Sequence, residues 1–172
     1  MTFSVAAIAD ASLSQMFGAL DRMLAKGAAH CAARNLPEAN LLHWRLAPDM
    51  FPLARQIQIA CDIPARGLAR LAGQEPKSFP DVETSFAELQ ARVASAKAYI
   101  DSLDRDAINA DPDGQVMLPM RNGTVTFKRD AMLLHFILPN LYFHVTAAYA
   151  ILRQCGVELG KADFLGEMPK AG

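Results

Sequence analysis

Four long stretches with apolar residues at steps of three and four, separated by proline- and glycine-bearing breaks, constrain this chain more than any other feature. In the first, Leu13, Phe17, Leu20, Leu24, Gly27 and Cys31 fall on one face of a helix from about Ser4 to Arg34. Asn35 and Pro37 end it, because proline cannot continue the hydrogen-bond ladder. A second pattern starts near Ala47-Pro48-Asp49 and carries Leu53, Ile57, Cys61 and Leu68 to Leu71, with Pro64 inside it and Gly73 beyond it. After a loop from Gln74 to Pro80, Asp81 is the expected cap of a third helix running from Val82 to about Leu103. Its stripe is Phe86, Leu89, Val93, Ala96 and Ile100, and Glu83, Glu88, Arg92 and Lys97 are expected to face water. The fourth helix runs from about Arg129 to Gln154 and stops at Gly156.

Between the third and fourth helices the helical rhythm breaks. Asp111-Pro112-Asp113-Gly114 is a turn signal, and alternation on both sides of Asn122-Gly123 predicts a small β-hairpin capping the helices. Val157 to Gly172 form a tail that Val157, Leu159, Phe164 and Leu165 can dock, with Pro169 to Gly172 loose. Abundant alanine permits close helix approach. The prediction is one all-α domain over residues 1–172, a four-helix bundle with a hairpin excursion before the last helix.

Charge narrows the function classes. Seventeen Lys and Arg against eighteen Asp and Glu leave a formal net charge of -1, without a basic run, so nucleic acid is not an expected partner. No uncharged apolar run reaches the roughly 18 residues of a membrane span, and the first twenty residues lack a basic n-region, so neither a membrane nor a secretory signal is expected. Cys31, Cys61 and Cys155 are three, far apart and without a CxxC, which reads as reduced thiols in a cytoplasmic protein. Nucleophile elbows, dinucleotide fingerprints and HExxH are absent, and Gly156-x-x-x-Gly160-Lys161 resembles only part of a phosphate loop.

Two segments carry a family likeness: Leu42-His43-Trp44-Arg45-Leu46-Ala47-Pro48-Asp49-Met50-Phe51-Pro52-Leu53, and Leu138 to Arg153 with its Pro139-Asn140-Leu141-Tyr142-Phe143-His144 core. With the tail from Gly156 to Gly166, they resemble an uncharacterised bacterial and fungal family of unknown function. That family is similar to the DinB-like (YfiT-like) superfamily of proposed metalloenzymes. The resemblance implies a bundle, often dimeric, holding a divalent metal with three histidines, one on the second helix and two on the last, four residues apart. Such spacing turns a ligand pair by about 40° on a helix, so both can face one ion.

This chain departs from that pattern. His144 stands in place, Asn140 occupies the partner position, and Leu53 to Ile59 offers Gln56 and Gln58 but no histidine. Carboxamides are weak ligands for zinc-like ions, so the set reads as a degenerate metal site. Ideal geometry puts His135 half a turn away from His144. The expected site is therefore a polar pocket for a small molecule, built from His144, Asn140, Gln56, Gln58 and Tyr142. Under the alternative, a divalent-metal-dependent transferase or hydrolase, the metal candidates are His144, Asn140, His43 and Asp49, and the ion would be Zn, Ni or Fe. His43 otherwise reads as a loop residue beside Trp44, and Asp49 as a helix-start residue. Arg45, Arg55 and Arg153 read as surface charges or ion-pair partners. The last helix is apolar nearly all round, so a homodimer is the expected assembly.

Overall fold

The fold rests on four long helices, seen in a computed structural model that describes residues 4–111, 113–120 and 122–168. Pro112 of the expected turn and the expected loose Pro169–Gly172 lie outside them. Helix α1 is Val5–Arg34, started by the Ser4 side chain accepting from the Ala7 amide and closed by Asn35 in the left-handed region. All six residues of its predicted stripe are buried. A short helix α2, Ala39–Leu42, tucks Leu41 and Leu42 into the core.

Helix α3 is Leu53–Leu71, so it starts later than the sequence predicts. The segment from Ala47 to Phe51 turns instead, with Met50 N–H donating to Ala47 O, and Leu53 N–H reaches back to Trp44 O. Pro52, in extended geometry, is the cap. Asp49 is therefore not a helix-start residue. Two prolines at 48 and 52 fix φ and favour extended geometry before each, which delays the helix. Pro64 lies inside α3, and the helix continues through it.

Helix α4, Phe86–Asp101, is capped by Ser85 rather than Asp81: Ser85 Oγ accepts from Glu88 N–H and Glu88 returns a bond to the Ser85 amide. A Ser-x-x-Glu box outcompetes an aspartate whose carboxylate is needed elsewhere. A second correction concerns Arg92, which is buried, not solvated, and Glu83, which precedes the helix and turns its side chain in toward Arg92.

Helix α5, Arg105–Asn109, leads to an antiparallel hairpin of β1, Gln115–Met120, and β2, Gly123–Lys128. Met120 pairs with Gly123, which takes φ 130°, so Asn122 sits in the turn. Val116 and Leu118 bury one face of β1 and leave Met117 outward. The last helix comes in pieces: α6, Arg129–Ala131, then a π-helical stretch, Met132–Ile137, then α7, Leu138–Gln154. Leu138 N–H donates to Leu133 O immediately before Pro139, whose ring would collide with a normal-pitch turn behind it. The wider π turns relieve that clash.

Helices α1 and α3 each pack against both α4 and α7. Gly27 shows how closely: a Cβ there would lie 2.7 Å from the Phe86 ring and 3.2 Å from Leu152. The tail docks as expected. Val157 and Leu159 are buried, Phe164 of helix α8, Lys161–Leu165, meets Tyr149 edge-on at 6.0 Å, and Gln15 donates to Leu165 O. The chain is thus mostly helical with a two-stranded hairpin. The piece from Arg129 to Gln154 has the length and mean hydropathy, 1.3, of a membrane span, but half of its apolar window is buried within the fold.

Candidate functional site

The seam between α3 and α7 brings together two of the predicted site residues. His144 Nδ1 lies 2.7 Å from Gln56 Oε1, with Gln56 1% and His144 8% exposed. The Gln56 Nε2 donates to Phe51 O at 3.0 Å, which assigns the other amide atom as oxygen and makes it an acceptor. His144 must then carry its proton on Nδ1, leaving the lone pair on Nε2. The backbone carbonyl, the glutamine and the imidazole form a chain that fixes both orientation and tautomer. Phe143 closes one side of the ring, edge-on at 5.2 Å. Burial, and secondly the positive charge of Arg55, push the His144 pKa down from 6.5 to about 4. The imidazole is neutral at physiological pH.

The other predicted residues do not join this pair. Asn140 is half-buried one turn earlier, and its Nδ2 is spent on Phe136 O at 2.7 Å. Tyr142 is exposed. His43 and Asp49 are exposed in the connection before α3, because that helix starts late. His135 is exposed.

Gln58 is buried but belongs to a different cluster, which sequence reasoning missed. Its Nε2 donates to Glu83 Oε2 at 2.9 Å, and its Oε1 accepts from Arg55 at 3.2 Å. At the centre is Arg92, whose side chain is 2% exposed. It pairs with Asp62, with Glu83 at 2.8 Å and with Asp81 at 3.3 Å, donates to Pro80 O, and stacks on Phe79. Arg55 also pairs with Asp81, and Arg66 with Asp62. The cluster ties the segment from Phe79 to Glu83 to α3 and α4; Arg92, Asp62 and Glu83 pair away from water, while Arg55, Asp81 and Arg66 reach solvent. The signal was present: Arg92 stands three residues after Leu89 and four before Ala96, on the buried stripe.

The metal that the resemblance implies does not fit these residues. Among the described residues no three His, Cys, Asp or Glu side chains converge on a common point. Gln56 presents its oxygen to His144, Asn140 is bonded to its own helix, and the two loop candidates lie apart. The thiols do not supply a set either: Cys31 and Cys61 are buried, and burial pushes Cys61 up to about 12.

Comparison with known proteins places the chain. Residues 7–165 match the model of a domain of unknown function, DUF1993. A DinB family member protein from Shewanella denitrificans, solved by crystallography, superposes with a TM-score of 0.87 at 36% sequence identity, covering 98% of this chain and 97% of that one. No curated protein matches. A helical fold, a hairpin before the last helix and a lone histidine at the α3–α7 seam are thus what this chain shows as a member of the DUF1993 family, a domain of unknown function with a DinB-like fold.

Proposed function

We propose that the chain is a four-helix bundle of DinB type whose metal site is degenerate, and that it binds a small molecule at the α3–α7 seam through His144. The carrying observation is the chain from Phe51 O through Gln56 to His144 Nδ1, which holds a neutral imidazole whose Nε2 lone pair meets no donor among the described residues. A ring with a pKa near 4 stays deprotonated at neutral pH but is a weak base, so it accepts a hydrogen bond better than it abstracts a proton. The ligand that suits it is a neutral N–H or O–H donor. This favours binding over metal-dependent transfer or hydrolysis.

Nitrogen-15 spectra of the histidines test the reading. The expected result is an Nδ1-protonated His144 whose Nε2 resonance moves when a panel of small amides, alcohols and azoles is added, while zinc, nickel and ferrous ions bind at well under one equivalent. One equivalent of tightly held metal, lost in His144→Ala, would overturn it.

We propose further that two copies associate, in the cytoplasm. Leu134, Tyr142 and Phe143 leave large apolar area exposed on the last helix, as does Met117 on the hairpin. Light scattering after size exclusion should report twice the 18.7 kDa chain mass, and a single species at that mass itself would refute the dimer.

A further inference from the structure

Two neighbouring polar side chains of the α3–α7 seam are turned into acceptors by backbone carbonyls. The Gln56 amide gives its Nε2 to Phe51 O and so presents oxygen to His144, which puts the imidazole proton on Nδ1 and a lone pair on Nε2. Asn140, one turn earlier on α7, gives its Nδ2 to Phe136 O at 2.7 Å, inside the π-helical stretch, and this leaves its Oδ1 as an acceptor. Neither His144 Nε2 nor Asn140 Oδ1 takes a hydrogen bond from the described residues. Among those residues, the buried side-chain nitrogens and oxygens without a partner are Arg92 Nε and Arg129 Nε. Both acceptors therefore reach solvent, although His144 as a whole is nine-tenths buried. On a helix, Cβ atoms four residues apart lie about 5–6 Å from each other, and a side chain leans over the turn before its own Cα. The His144 ring thus leans over the turn that carries Asn140.

Two acceptors side by side complement a group with two hydrogens to give. A planar amino group making one bond of about 2.9 Å to each side bridges acceptors up to about 5 Å apart. Charge selects among such groups. The guanidinium of Arg55 acts on the His144 ring against a second positive charge, so an ammonium or guanidinium ligand meets a repulsion that a neutral NH2 does not. Resting on the reading above that His144 binds a small molecule, we propose that the ligand is a neutral primary carboxamide or ureide, its NH2 giving one hydrogen to His144 Nε2 and the other to Asn140 Oδ1. An alcohol, a phenol or a secondary amide has one hydrogen and leaves one acceptor unmet. Asn140 is then the residue that sets specificity, because it alone distinguishes a double donor from a single one.

The test is a nitrogen-15 titration of the His144 Nε2 resonance in the whole chain with acetamide, N-methylacetamide and N,N-dimethylacetamide, which carry two, one and no amide hydrogens. Each is taken to about 200 mM, where a site of millimolar affinity saturates. Acetamide should bind about three- to tenfold more tightly than N-methylacetamide, the worth of one further hydrogen bond, and the dimethyl compound should leave the resonance in place. In Asn140→Ala and Asn140→Leu, acetamide should fall to the level of N-methylacetamide. Amide spectra verify that each variant is folded, and the comparison of probes on the wild type stands without either of them. Equal affinities for acetamide and N-methylacetamide, or an acetamide preference kept in both folded variants, would overturn the pairing with Asn140 while leaving His144 as a single-acceptor site. If none of the three probes moves the resonance, this proposal and the binding reading beneath it fall together.

Discussion

Replacing His144 with glutamine isolates the one titration that the α3–α7 seam perturbs most. A glutamine amide can still donate to Gln56 Oε1, so the buried acceptor keeps a partner while the titratable group is gone. In the wild type the folded protein lowers the His144 pKa from 6.5 to about 4. The unfolded chain therefore binds a proton between those values that the native state refuses. Since ∂ΔG/∂pH has the sign of the protons bound by the unfolded state minus those bound by the native one, stability falls as pH drops from about 6.5 toward 4 and is unaffected above 7. At pH 5 the linkage amounts to about 2 kcal/mol, and solvent at the ring edge trims this to about 1–2 kcal/mol. Any pH effect that arises elsewhere in the fold is common to both proteins and cancels in the difference. Urea unfolding of wild type and His144→Gln at pH 7.5 and pH 5 supplies it. The wild type should lose about 1–2 kcal/mol more than the variant. Parallel pH profiles would show that His144 is not a buried neutral ring, and with it the tautomer argument would fall.

Two other substitutions probe the packing that positions this seam. Gly27→Ala puts a methyl 2.7 Å from the Phe86 ring, which is itself fully buried, so overpacking should outweigh the gain in helix propensity and cost about 1–2 kcal/mol in a thermal melt; a more stable variant would refute the close approach. Arg92→Met strips the central cation from Asp62 and Glu83 and should destabilise by about 3–5 kcal/mol at pH 7 in urea unfolding, whereas a neutral result would mean the carboxylates were not held by that charge.

Helix faces were legible because the stripes obey one rule throughout. Leu13 to Cys31, Leu53 to Leu71 and Phe86 to Ile100 all go inward. Where α3 begins was not, since Pro48 suits a helix start locally and only the Leu53 amide reaching Trp44 O shows that the chain turns first. Arg92 was misread because its charge was weighed against its spacing. The acids that make burial affordable come from α3 and from the segment before α4, contacts that no local pattern reports. The pairing of His144 with Gln56 spans 88 residues, and the sequence could rank Gln56 and Gln58 only as alternatives. Gln58 is bonded to Arg55, three residues before it, whereas Gln56 is bonded to the loop carbonyl of Phe51, five residues before it, and α3's rotation decides which amide faces α7.

Arg55 couples the charge cluster to the histidine, and its removal makes the coupling measurable. Its guanidinium pairs with Asp81, donates to Gln58 and lies against Phe51, and its charge is the second cause of the lowered His144 pKa after burial. Arg55→Met removes that charge and leaves the Asp81 carboxylate less neutralised, and both changes favour the protonated ring. Burial, the larger cause, is retained, so the His144 pKa should rise while staying below 6.5. A histidine carbon-proton titration from pH 3.5 to 8 reads this directly, and amide spectra show whether α3 is intact. The same variant should lose part of the pH-dependent instability assigned above to His144, because the native ring now accepts its proton nearer the unfolded value. An unchanged or lowered pKa would sever the cluster from the site and leave burial alone to hold the imidazole neutral.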